Sequence, residues 1–183
     1  MRVYAFLLIV FLAVPGRGQA QGQSFDPAVF LSTVNIHQYY GHGNVRVPDG
    51  MRAVLADSLF TDRTCVGFSM RLEADSGAGW TLWLDFDVDR YYRPRLTRVF
   101  AQRAVDPSDG EAFTRFRDWV AKVQRRNIGE MVEDGDDRAA WPWQRRTDYR
   151  LEIRRVSENG RPWLTLSLAP HHPVPEDPPA ESP

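Results

Sequence analysis

Apolar and polar residues alternate along two successive stretches of this chain. In Gly79–Arg98, Trp80, Leu82, Leu84, Phe86 and Val88 fall on one side, and Thr81, Trp83, Asp85, Asp87 and Asp89 on the other. Period two over this length predicts a strand with one buried face. Cys65–Ala74 repeats the pattern, with Val66, Phe68, Met70, Leu72 and Ala74 against Gly67, Ser69, Arg71 and Glu73. The turn-rich Asp75–Gly79 between them predicts an antiparallel pair. Setting Leu72 opposite Leu82, Met70 opposite Leu84 and Phe68 opposite Phe86 makes one face wholly apolar. The same register puts Arg71 beside Trp83 and Ser69 beside Asp85, and a slip of one residue would mix both faces.

Arg95–Val105 predicts a third strand. Asn159-Gly160 is the favoured pair for a two-residue hairpin turn, and it joins Tyr149–Val156 to Trp163–Ala169 with Ile153 opposite Leu166 and Leu151 opposite Leu168. The period changes to 3.6 where Phe113, Phe116, Val120 and Val123 form a stripe, so a helix is expected over Ser108–Arg126, opened by a Ser108/Glu111 capping box. A first helix is expected from Asp26 as cap and Pro27 at its first position, with Phe25 stapled to Phe30, and running to about Tyr40 before Gly41 and Gly43. Met51, Val54, Leu55 and Leu59 are spaced for a second, short helix. Glu130–Asp137 reads as an acidic loop, and no internal repeat is legible. The element order αα-βββ-α-ββ predicts an α+β domain: a five-stranded antiparallel sheet with one face covered by helices. In order alone this is similar to the αβββαββ layout of secretion-chaperone-like proteins, a likeness that bears on fold and not on function.

The two ends of the chain change the picture. Arg2 precedes an apolar run over Val3–Val14, Pro15 and Gly16 break it, and Gly18 and Ala20 supply the small residues a signal peptidase reads. This predicts a secretory signal cleaved after Ala20, too short to cross a bilayer that needs about 20 apolar residues. Pro170–Pro183 holds six prolines in fourteen residues and is expected to be an extended or disordered tail. A single domain over 21–169 remains, in a periplasmic or secreted bacterial protein. Without Arg2 and Arg17 the mature chain, Gln21–Pro183, carries 21 basic and 24 acidic residues, a net charge of −3, which argues against nucleic acid as a main partner. The lone Cys65 excludes an internal disulfide, so burial has to hold the fold; it reads as an inert thiol at a strand start.

Candidate chemistry follows from the charged and aromatic positions. Asp85, Asp87 and Asp89 match the start of a calcium loop, but Arg90 and Leu96 stand where that loop needs glycine and glutamate. They are expected to form a solvated acidic stripe answered by arginines. His37 with His42, and His171 with His172, complete no zinc set by spacing. The sequence has no nucleophile elbow, zinc-protease helix, P-loop or dinucleotide turn, so neither a catalytic residue nor a cofactor or metal is assigned. The aromatic–arginine groups are more informative, because Tyr, Trp and Arg dominate binding hot spots. Tyr91, Tyr92, Arg93 and Arg95 occupy a turn. Trp141 and Trp143 lie in a connection and read equally as a lid folded onto the sheet or as contact surface. With Arg71 and Trp83 on the open strand face, these are the candidate binding residues.

The expected function is binding to an envelope or secreted protein, as an interaction, inhibitor or immunity-type module. On that reading Trp143→Ala or Tyr92→Ala weakens association and leaves folding intact. The alternative is a small periplasmic hydrolase, or a divalent-cation-dependent enzyme, using Asp85, Asp87 or Asp89. A carrier of small ligands would need a hollow between helix and sheet.

Overall fold

The structure, a computed structural model, describes residues 25–37, 39, 47–48, 51–61, 64–74, 79–91 and 93–171, without the side chains of 55, 56, 59–61, 64, 65 and 74. The secretory signal, nearly all of the proline-rich tail, Tyr92, His42 and the Cys65 thiol lie outside the described residues.

The first helix, α1 (Pro27–Thr33), starts as its sequence dictates. Asp26 Oδ1 accepts the amides of Ala28 at 2.8 Å and Val29 at 3.2 Å, and the Phe25 and Phe30 rings stand 5.8 Å apart. It stops well short of Tyr40. The Ser32 and Thr33 hydroxyls donate back to the carbonyls of Val29 and Phe30, and the β-branched Val34 is extended. Such side chains offer the backbone an exit from the helix. His37 then takes a left-handed φ of 65°, its amide donates to the Leu96 carbonyl, and Tyr39 bridges to Arg95.

The expected second helix is instead a strand, β1 (Met51–Thr61), paired antiparallel to β2 (Thr64–Ala74) from Met51 opposite Ala74 to Thr61 opposite Thr64. The register shift between Leu55 and Asp57 puts an extra residue in β1, and the one between Leu59 and Phe60 puts an extra residue in β2. The first breaks the alternation that would have marked β1 as a strand and leaves an apolar spacing that imitates a helix.

Between β2 and β3 (Thr81–Val88) the register is the one the alternation predicts, and β4 (Pro94–Ala104) pairs antiparallel along the other edge of β3. Leu72 faces Leu82, Met70 faces Leu84, Phe68 faces Phe86 and Arg71 faces Trp83. A bulge lies between Asp85/Arg98 and Phe86/Leu96. The second helix, α2 (Ala112–Gln124), buries Phe113, Phe116 and Val120 as expected. Its capping box does not form. Ser108 turns back to Asp106, which accepts both its amide and its hydroxyl, and Glu111 makes no side-chain cap. Two polar contacts tie the helices together: the Trp119 indole donates to Asp26, and buried Gln124 donates to the Ala28 carbonyl.

The connection after α2 supplies two further strands, β5 (Glu133–Asp134) and β6 (Arg138–Pro142), before the hairpin of β7 (Tyr149–Glu158) and β8 (Arg161–Pro170). Ala139, Ala140 and Trp141 are all buried, so β6 has no alternation to betray it. Asn159 and Gly160, at φ 51° and 74°, form the expected turn, and Ile153 and Leu151 face Leu166 and Leu168.

Among the described residues the sheet therefore has eight antiparallel strands in the order β1-β2-β3-β4-β8-β7-β6-β5, which overturns the expected five-stranded sheet covered by helices. Strands make up just over half of the described residues, and the αα-βββ-α-ββ order and its chaperone-like likeness fall with the correction. Eight strands span about 34 Å at roughly 4.8 Å each, whereas the thirteen residues of α2 reach about 20 Å. Helices of this size cannot roof the sheet. Residues as far apart as Leu72 on β2 and Ala139 on β6 are nonetheless fully buried in one core, so the twisted sheet curls round the helices. The chain order is a helix and four strands, twice over, with the fourth strands β4 and β8 paired at the centre.

Candidate functional site

With the core on one side of the sheet, no described helix or strand covers the other side, and strand register decides what it displays. One row runs Arg71, Trp83, Phe100, Ser167 and Glu152 from β2 to β7. At its centre the half-buried rings of Trp83 and Phe100 pack 5.4 Å apart at 51°. The Arg98 guanidinium lies 5.7 Å from the Phe100 ring and 3.7 Å from Asp85, whose carboxylate also accepts the Ser69 hydroxyl. Arg71 pairs with Glu73 at 3.0 Å. An aromatic centre ringed by arginines is the composition of a binding hot spot.

Towards β5 the same face carries an ion-pair ladder. Glu152 accepts from Arg138 and Arg154, and Glu133 pairs with Arg138 at 2.7 Å and Arg150 at 2.8 Å. Burial pushes the Glu152 carboxyl up, but the hydrogen bonds from Arg154 and Arg138 outweigh it and hold the group below its ordinary value. By register this face carries arginines at 52, 71, 95, 98, 138, 150, 154 and 161 and acids at 57, 73, 85, 87, 133, 152 and 158, a nearly balanced set.

The turn after β3 is a closed unit. Asp89 Oδ1 accepts the amides of Tyr91 and Arg93, while Oδ2 accepts the Arg93 guanidinium and the Tyr39 hydroxyl. Arg93 also lies 4.4 Å from the Tyr39 ring and 5.1 Å from that of Tyr91. Desolvation acts to raise the Asp89 carboxyl, but the two amides, the guanidinium and the phenol together pull it down to about 2.

The candidate residues are thus scattered in role. Arg71 and Trp83 are cross-strand neighbours on the open face, as expected. Tyr91 is 60% exposed, whereas Arg93 is engaged by Asp89 and Tyr39. Arg95 is half-buried opposite Asp87, with a buried Nε that has no hydrogen-bond partner. Trp141 and Trp143 are 3% and 1% exposed, which makes them core residues and leaves no ring area for a partner. A bridge from Ile128 to Trp143 and a hydrogen bond from the Trp143 amide to the Tyr149 carbonyl draw this connection inward. Phe100, Arg98 and the Glu152 ladder were missed, although their outward register follows once β4 and β7 are placed in one sheet.

The three aspartates do not converge. Asp85 is held by Ser69 and Arg98, Asp87 faces Gly67 and Arg95, and Asp89 lies beyond the strand as the organiser of its turn. Among the described residues no group of three or more His, Cys, Asp or Glu side chains is placed to hold a metal ion, and no helix is long and apolar enough to cross a membrane.

The chain matches no protein-family model, no curated protein and no solved structure, so no family is assigned to it.

Proposed function

We propose that this is an exported bacterial protein that works by binding a protein partner in the envelope or outside the cell, through the open face of its sheet. The observation that carries the reading is the Trp83–Phe100 pair, two large rings left half-open at the centre of a sheet face on which none of the described helices lies. Burying both rings and releasing their water would supply the core of an interface, with Arg71 and Arg98 as neighbours that favour an acidic partner surface. Export rests on the N-terminal pattern of Arg2, the apolar run and Ala20.

The experiment compares capture from the native envelope and culture medium by the wild-type protein and by Trp83→Ala and Phe100→Ala. A partner held by wild type and lost by both variants, with weaker capture at high salt, supports the reading. Equal capture by all three proteins counts against this face.

A further inference from the structure

The end of the sheet where β3 begins and β4 ends holds a separate feature. A cavity of about 200 Å3 opens there between Trp80, Arg103, Asp26 and one stripe of α2 made of Ala112, Arg115, Phe116 and Trp119. The helical residues recur at positions three and four apart, so they share the face turned to the cavity. Trp80 and Phe116 pack 4.9 Å apart as one wall, and the Trp119 indole, 40% exposed, forms another.

The charges of the lining differ in how far they are already used. Asp26 spends Oδ1 on the cap of α1 and Oδ2 on the Trp119 indole, 2.8 Å away. Arg115 is paired with Asp109 and Glu111. Arg103 lies 5.1 Å from the Trp80 ring, and among the described residues no carboxylate pairs with it. A guanidinium stacked on an indole still presents its N–H groups at its edge, in the fork that matches a carboxylate. The flat walls suit a planar apolar body, and a second cation is disfavoured because Arg103 already supplies the positive charge. The space is small beside the roughly 300–1,000 Å3 of a typical ligand pocket, which limits the guest to a compact molecule.

We infer that this cavity is a binding site for a compact aromatic carboxylate, its acid group on Arg103 and its ring against the exposed indole of Trp119, with the buried Trp80–Phe116 pair as the floor. The site is independent of the open sheet face and of any partner bound there.

The probe is indole-3-acetate, titrated into the 15N-labelled full chain while the Trp119 Nε1–H resonance is followed. The expected result is a saturable shift of that resonance with a dissociation constant below about 1 mM. Arg103→Ala weakens binding tenfold or more, Arg103→Lys by less, and neutral 3-methylindole binds at least tenfold more weakly than the acid. Trp83→Ala binds the probe as wild type does, which separates this site from the open face. Arg103 is exposed, and an unchanged amide spectrum confirms that its variants fold. Absence of a saturable shift, equal binding by Arg103→Ala, or equal binding of the neutral probe overturns the inference.

Discussion

Phe100 of β4 lies directly opposite Ser167 of β8. These residues occupy corresponding places in the two helix-plus-four-strand units. Both strands open on matching residues, Arg93-Pro94-Arg95-Leu96-Thr97 and Arg161-Pro162-Trp163-Leu164-Thr165, and the bulge in β4 adds one residue before Val99, which corresponds to Leu166. Next to the Phe100–Ser167 pair, Val99 faces Leu168 and Ala101 faces Leu166. The small Ser167 leaves the Phe100 ring with Trp83 as its aromatic neighbour, and open to a partner. Trp83→Ala and Phe100→Ala should each lower stability by only about 1 kcal/mol, the value of a half-exposed cross-strand pair, while weakening partner association tenfold or more. Urea unfolding beside quantitative capture checks both halves of this expectation.

Trp143 behaves in the opposite way. At 1% exposure its ring is part of the core, so Trp143→Ala does not leave folding intact. The variant should lose about 3–5 kcal/mol, the range for emptying a buried aromatic site, a large share of the stability of an ordinary domain. Chemical denaturation measures the loss directly.

Asp89 makes the turn sensitive to acid. Its folded pKa of about 2 lies below the ordinary 3.8, so the unfolded chain takes up the proton first. The stabilising contribution is complete above the ordinary value and disappears as pH falls from about 4 towards 2. Wild type should therefore lose more stability over that interval than Asp89→Asn. Parallel acid-unfolding curves would show the two proteins converging at low pH.

Glu152 joins Arg138 to Arg154 on the open face. Glu152→Gln leaves both guanidiniums without their shared carboxylate and should cost about 1 kcal/mol, tempered by the solvent that reaches the arginines. The difference from wild type should shrink in high salt, because screening weakens the pair that wild type retains. Urea midpoints at low and high ionic strength test both points.

Local pattern was sufficient wherever one strand's two faces meet different surroundings. The β2–β3 register, the β7–β8 hairpin, the buried stripe of α2 and the Asp26 cap were all legible in the chain, because each depends on side chains within a few residues or on a single turn. The pairing of Arg71 with Trp83 was legible for the same reason. The bulged β1 and β6, with Ala139–Trp141 buried in succession, carry no clean period, so their strand character comes from edges offered by β2 and β7. The crossing from β4 to the far edge, and the return to β8 at the centre, depend on burying one apolar face of every strand in a common core. That long-range constraint, which no local period records, decided that Trp141 and Trp143 lie inside, that Phe100 joins Trp83 on the open face, and that Arg103 stands over Trp80 beside α2.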